Sequence, residues 1–285
     1  MRLPLLCTCA LLAPAAAGCA EAGGTAASRS VPTATAAASV RSAHVPETVP
    51  AREATTQTSA AAPALPLAGR TITVDPGHNG GNFTHPQQIA RLVPDGNGYK
   101  ECDTTGTAAP DGYRETDFNW SVGEHLKALL QAAGAMVVMT RSSNTGVGPC
   151  VNERAAIGNR AHSDAAISIH ADGGPPDGSG FAILIPAPIP GGSDRAIIAP
   201  SRRLGVDLRG ALLGIGLHTS TYDGVDGLAP RTDLGGLNLS RVPKVFVEVA
   251  NMQNRPDEAP MERPAYRQRV AEALLRGLES FLARR

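Results

Sequence analysis

From Arg70 onward the chain alternates short apolar runs with stretches in which apolar residues return every three or four positions, which predicts an α/β sheet domain. Thr71, Ile72, Thr73 and Val74 read as a short buried strand that Pro76 and Gly77 stop. After Glu115, the residues Phe118, Val122, Leu126, Leu129 and Leu130 keep helical spacing as far as Gly134. "AMVVMTR" (135–141) reads as a strand, "VNERAAIGNRAH" (151–162) as a helix with Asn152 at its cap, "DAAISIHAD" (164–172) as a strand with a polar end at His170, and "GFAILIP" (180–186) as another strand. Further on, a helix is expected over 201–217, an edge strand near "GGLNLS" (235–240) and an apolar strand at "KVFVEVA" (244–250). Pro264 opens a closing helix on which Tyr266, Val270, Leu274, Leu278 and Phe281 line up. The stretch 83–113 is glycine-rich and aperiodic, and loops of that length tend to bind ligands or cover sites.

The first 67 residues carry neither period. Residues 1–19 show one positive charge at Arg2, a short apolar stretch and then small residues, the layout of a secretory signal and too short for a membrane span. "AAGC", ending at Cys19, also resembles a bacterial lipoprotein signal in which Cys19 would be lipidated, although Ala16 stands where leucine is preferred; anchoring and simple cleavage both fit. Residues 20–67 contain no aromatic side chain and are dominated by Ala, Ser, Thr and Pro, so they bury too little to offset chain entropy and read as a disordered tether. That leaves 68–285 as one domain, expected to be a monomer exported to the periplasm or cell wall.

Charge narrows the partners: 26 basic residues offset 26 acidic ones and no basic run interleaves with aromatics, so nucleic acid is set aside. Of five cysteines, Cys7, Cys9 and Cys19 belong to the leader, leaving Cys102 and Cys150 in the folded part. Export favours a Cys102–Cys150 disulfide over two independent buried thiols.

Three polar groups fall at the ends of predicted elements: His78 after the first strand, His170 at the end of a central one, and Glu115 directly before a helix. Two imidazoles and a carboxylate, without cysteine, match the three protein ligands of a catalytic zinc and leave a fourth position for water, whereas a structural zinc takes four ligands, usually with sulfur. Glu248 interrupts an apolar strand, where an ionised carboxylate is costly unless paired or near a cation; beside zinc it would serve as a general base. The residues alone leave simpler readings open. A histidine at a strand end is commonly a satisfied loop residue, as His85, His125, His162 and His218 are taken to be, Glu115 could cap its helix, and Glu248 could pair with Lys244 or an arginine. Separations of 37 and 55 positions between the three candidates do not decide the matter.

"TVDPGHNGG", "YRETDFNW", "SIHAD" and "VPKVFVEVANMQN", in this order and framed by "MTR" and "NERAAIGN", resemble the zinc-dependent N-acetylmuramoyl-L-alanine amidases of the amidase-3 family from about Arg70 to the C-terminus. The resemblance implies a six-stranded mixed sheet flanked by helices, zinc held by His78, Glu115 and His170 at the strand C-terminal ends, and Glu248 as the catalytic glutamate. It further implies a peptidoglycan hydrolase that cleaves the amide between N-acetylmuramic acid and the L-alanine of the stem peptide. Two departures touch the substrate rim: Asp172 stands where asparagine is usual, and "VANMQN" replaces the common glycine and aromatic after Glu248. Regulated members carry an inserted helix over the zinc, whereas the link from Pro186 to Pro200 is short and proline-rich, so an accessible site that needs no activator is expected. A zinc peptidase acting within stem peptides and a non-catalytic wall-binding protein are the rival readings.

Overall fold

The computed structural model describes residues 65–190 and 195–284; the expected leader (1–19), and the expected tether as far as residue 64, lie outside them. Leu67, assigned from sequence to the end of the tether, is instead packed in the core with 1% of its surface exposed, and its N–H donates to the Ala133 carbonyl.

Six strands form one sheet in the order β4-β1-β5-β8-β6-β7: β1 (Thr71–Pro76), β4 (Met136–Met139), β5 (Ala165–Asp172), β6 (Ala182–Pro186), β7 (Leu228–Arg231) and β8 (Lys244–Asn251). The pairs β4/β1, β1/β5 and β5/β8 are parallel, β6 runs antiparallel to β8, and β7 is parallel to β6, so the sheet is mixed as expected. The helices are α1 (Pro86–Ile89), α2 (Glu115–Ala132), α3 (Val151–Arg160), α4 (Ile198–Leu213), α5 (Gly235–Asn238), α6 (Arg255–Glu258) and α7 (Pro264–Leu282).

Strand alternation separates two faces of different chemistry. Ile72 and Val74 of β1, Ile167, Ile169 and Ala171 of β5, and Val245, Val247 and Val249 of β8 join the main core with Phe118, Val122 and Leu126 of α2, Leu204 and Leu208 of α4, and Val270, Leu274, Leu278 and Phe281 of α7. The intervening residues, among them Thr73, Asp75, Ser168, His170, Lys244, Phe246 and Glu248, belong by alternation to the other face, where α3 and α5 lie. "KVFVEVA" is therefore a strand with one apolar side and one that carries Lys244, Phe246 and Glu248.

Several sequence expectations need correction. "GGLNLS" contributes the helical turn α5, whose Leu237 is fully buried against Leu184 and Ala229, and the edge strand is instead β7, four residues ending Leu-Ala-Pro-Arg. The helix expected over 201–217 starts earlier, at Ile198, and ends at Leu213, followed by Gly214 and a left-handed Gly216 (φ +83°). Asn152 lies inside α3, the cap position belonging to Cys150. Within 83–113 the chain forms α1 and a hairpin of β2 (Leu92–Pro94) and β3 (Tyr99–Glu101). A disulfide joins Cys102, just past β3, to Cys150, both sulfur-bearing residues being buried.

Candidate metal centre

The parallel strands β1, β5 and β8 end at one edge of the sheet, the edge at which α/β folds collect their chemistry. His78 lies two residues beyond β1 in the left-handed region (φ +52°), a conformation costly for a side chain bearing a Cβ. The turn is tied down by cations: Arg154 Nη2 donates to the His78 carbonyl at 2.9 Å and Arg141 Nε to that of Pro76 at 2.9 Å. Gly77 is required there, because a Cβ would stand 2.0 Å from Cε1 of His170. His170 comes from β5, directly across the ladder from Glu248 of β8, and its ring stacks on Phe246 at 4.9 Å.

Glu115 is the first residue of α2, but its carboxylate does not cap its own helix. It accepts the Thr107 N–H at 2.9 Å and the Asn119 amide at 3.1 Å, and it reaches both histidines: Oε1 lies 2.9 Å from His170 Nδ1 and Oε2 3.5 Å from His78 Nε2. One donor atom from each of His78, Glu115 and His170 lies within 4.8 Å of the others. The structure thus brings together the three candidates that sequence placed 37 and 55 residues apart.

Each imidazole is held from behind. His78 Nδ1 donates to Asp103 Oδ1 at 2.9 Å, and His170 Nε2 lies 3.2 Å from the Ser168 hydroxyl. Inner nitrogens facing a shared carboxylate, with outer nitrogens bonded to the protein, are the arrangement metal-binding histidines adopt. Burial disfavours the charged Glu115, but the His78 charge and the His170 and Thr107 hydrogen bonds outweigh it and lower its carboxyl to about 2. Burial also lowers His170, whereas at His78 the Glu115 and Asp103 carboxylates outweigh burial and raise the imidazole.

Glu248 is half-buried and behaves in the opposite sense. Its Oε2 is enclosed without a hydrogen-bond partner, and burial, reinforced by the negative charges of Glu115, Asp172 and Asp223, pushes its carboxyl well above the ordinary range. Lys244, the partner suggested by sequence, is occupied elsewhere: its Nζ lies 3.0 Å from Asp75. His78, His170 and Glu248 all line one cleft of about 260 Å³, whose rim includes Lys100, Asp172 and Arg231. A cavity of about 490 Å³ beside Trp120 and Arg141 is reached by none of these residues.

Of the rim departures, Asp172 accepts the Tyr222 hydroxyl at 2.8 Å, and Met252 of "VANMQN" is fully buried in the core rather than presented to the cleft. His85 bonds the Gly81 carbonyl within its own loop, as expected of a satisfied loop histidine. Sequence reasoning passed over Asp75, Asp103, Arg154 and Ser168. Asp75 and Ser168 carried a signal, each a polar residue on a buried strand three or two positions before a candidate histidine; Asp103 carried none.

A family model described as N-acetylmuramoyl-L-alanine amidase (Amidase_3) matches residues 72–280, most of the chain. The chain belongs to that family. Among its relatives, the N-acetylmuramoyl-L-alanine amidase Rv3717 of Mycobacterium tuberculosis is 42% identical over 226 residues, 79% of this chain and 91% of the relative. The crystal structure of the amidase Ami1 of Mycobacterium smegmatis superposes with a TM-score of 0.73 at 42% identity, covering 77% of this chain and 99% of that one. The apo form of Ami1 from Mycobacterium abscessus gives 0.72 at 41% identity, covering 76% and 100%. Among more distant amidase-family structures, AmiC2 of Nostoc punctiforme shares the fold at 21% identity and a TM-score of 0.57.

Proposed function

We propose that this protein is an exported zinc amidase that cleaves the bond between the lactyl group of N-acetylmuramic acid and the L-alanine of the stem peptide in peptidoglycan. The observation that carries the reading is the enclosed, unpartnered Oε2 of Glu248 on the cleft that also holds His78 and His170. Such an atom is costly in an inert protein and useful beside a divalent cation and a reacting water.

The donor set fits zinc: two imidazoles and one carboxylate, no sulfur, and the second nitrogen of each histidine already engaged. His78, Glu115 and His170 would hold it. Zinc, when bound, acts as a Lewis acid on the amide carbonyl and lowers the pKa of its water toward neutrality. Glu248 takes the proton from the attacking water and delivers it to the leaving L-alanine nitrogen. Phe246, stacked on His170, keeps that ring from turning, and Glu115, held by Thr107 and Asn119, keeps its oxygens directed inward. Asp172, bonded to Tyr222, and the cations Arg231 and Lys100 form the part of the rim that would meet the stem peptide.

Between β6 and α4 the described residues carry only the 3₁₀ turn Arg195–Ile197, which supports an accessible site active without a partner on small fragments. The leader over residues 1–19 supports export, with Cys19 as the anchor if the lipoprotein reading holds.

The test uses a defined muramyl tripeptide, with and without chelator. Release of a peptide with L-alanine at its free N-terminus is expected, whereas internal cleavage of the stem would identify a peptidase and inertness of the zinc-loaded protein a wall-binding protein. In parallel, Glu248→Gln keeps the shape but removes the proton acceptor; zinc content should stay at the unmodified level while turnover falls by roughly 10²–10⁴. Near-normal turnover by Glu248→Gln would remove the proposed base.

A further inference from the structure

Behind the two imidazoles lies a single carboxylate that is part of neither the ligand set nor the cleft chemistry above. Asp75, at the end of β1, is fully buried and accepts four hydrogen bonds: from Thr140 Oγ1 at 2.7 Å, Arg154 Nη1 at 2.7 Å, Lys244 Nζ at 3.0 Å and Ser168 Oγ at 3.0 Å. Two of these donors continue to the histidines. The Ser168 hydroxyl gives its proton to Asp75, so its lone pair accepts Nε2–H of His170 at 3.2 Å and leaves Nδ1 as the inward donor. Arg154 turns its other nitrogen, Nη2, toward Asp103 Oδ2 at 3.4 Å, and Asp103 Oδ1 accepts Nδ1–H of His78 at 2.9 Å, leaving Nε2 as the inward donor.

We propose that Asp75 is the common anchor of both metal-facing imidazoles, acting on His170 through Ser168 and on His78 through Arg154 and Asp103, so that residues outside the set of three ligands govern the zinc affinity. The proposal rests on the zinc reading above and assigns Asp75, Ser168, Arg154 and Asp103 as positioning residues. The frame is internally neutral, two aspartates against Arg154 and Lys244, so it orients the ligands without adding charge beneath the cation. Lys244 acquires a purpose in it: a fully buried ammonium that lets Asp75 stay ionised while serving both arms. The disulfide fixes the longer arm at both ends, since Cys102 precedes Asp103 and the Cys150 carbonyl accepts the Arg154 N–H at 3.0 Å.

The experiment measures the zinc dissociation constant by competition with a chromophoric chelator for the unmodified protein, Ser168→Ala, Asp103→Asn and Asp75→Asn, together with thermal unfolding of each metal-free form. Ser168→Ala leaves His170 Nε2 without its acceptor; Asp103→Asn keeps the shape but turns an amide NH2 toward Arg154 and removes the charge behind His78. Each is expected to weaken zinc binding by roughly 10–100-fold, the usual range for residues that orient metal ligands, and Asp75→Asn by more than either alone and by up to the product of the two. A purely structural role would lower the melting temperature of the metal-free variants and leave the zinc affinity of the folded protein unchanged. Should Asp75→Asn fail to fold, the two outer variants decide: zinc affinity within about threefold of the unmodified protein in both, well short of the expected loss, overturns the proposal. The zinc reading itself stands or falls on the unmodified protein alone, since failure of that protein to bind zinc would remove the reading before any variant is compared.

Discussion

The Cys102–Cys150 bridge is the covalent constraint on the loop carrying Asp103, and its contribution can be worked from the chain it closes. The two cysteines are 48 positions apart. In the chain-entropy model, closing a loop of that length removes about 14 cal/mol/K from the unfolded ensemble, or about 4 kcal/mol at 25 °C. A domain of this size shifts its melting temperature by about 2–4 °C per kcal/mol, so loss of the bridge should lower it by about 8–16 °C. The lower end is expected, because a hydrogen bond from the Val151 N–H to the Cys102 carbonyl at 2.8 Å ties the same two segments without the sulfurs. The assay is thermal unfolding of metal-free protein in three forms: oxidised, reduced, and Cys102→Ala/Cys150→Ala. Keeping metal out removes the stabilisation that ligand binding adds to any native state. The reduced form preserves the sulfur volume and isolates the cross-link, while the alanine pair adds a cavity, so the expected order is oxidised, then reduced, then the double variant. A reduced protein melting within about 2 °C of the oxidised one would refute the reasoning, because the loop would then be ordered without its bridge.

Gly77→Ala would drive a Cβ into the His170 ring; it should cost about 1–3 kcal/mol in urea unfolding and lower the bound zinc per chain, and normal zinc content would show that the turn can shift freely. Lys244→Met removes one of two cations from the fully buried Asp75; a loss of about 3 kcal/mol is expected in urea unfolding, and a change under about 1 kcal/mol would mean that Arg154 alone satisfies the carboxylate. Asp75, lowered because Lys244 and Arg154 outweigh its burial, and Glu115, lowered to about 2, contribute stability that is present above their unfolded values near pH 4 and lost as pH falls through their folded ones. The urea midpoint of metal-free protein should therefore fall between pH 5 and pH 3, where His78, raised in the fold, still contributes in full, and a flat midpoint would refute the buried network as its cause.

Much of the fold was legible because its core elements keep clean periods. β1, β5, β8, α2 and α7 sit close to where alternation and helical spacing put them. β2, β3 and β7 were not legible: they are three or four residues long, two of them contain proline (Pro94 and Pro230), and such short strands take their shape from their partners rather than from their own pattern. The candidate site divides along the same line. His78, Glu115, His170 and Glu248 stand at element ends or break an apolar run, so each could be picked out as a candidate, although the family motifs were needed to choose among the readings. Asp103 lies in an aperiodic loop 25 residues from the histidine it holds, and Arg154 looks like any polar residue of an amphipathic helix until α3 is docked beneath β1. Contacts of that kind exist only after tertiary packing, and no local pattern encodes them.

The same fold treats two chemically identical side chains in opposite ways, and this is the physical ground for proposing one as a metal ligand and the other as a base. Glu115 enters at the start of a helix, beside a loop N–H and an asparagine amide, with two imidazoles before it; burial disfavours its negative charge, but these neighbours outweigh it, and its carboxyl falls to about 2. Glu248 enters from the middle of a strand, where the pleat gives it Phe246 and His170 as neighbours and no N–H donor for Oε2, and the carboxylates of Glu115, Asp172 and Asp223 act on it more strongly than the Arg231 cation. It is therefore pushed upward, toward a proton. A carboxyl that is ionised at any working pH makes a permanent metal ligand, whereas one poised to exchange its proton makes an acid and base; environments that drive two acids apart assign their roles. Had Glu248 paired with Lys244, as the sequence also permitted, it would have been fixed as a charge and unsuited to the proposed role of base. Asp75 prevents this by holding that lysine 3.0 Å from its own carboxylate.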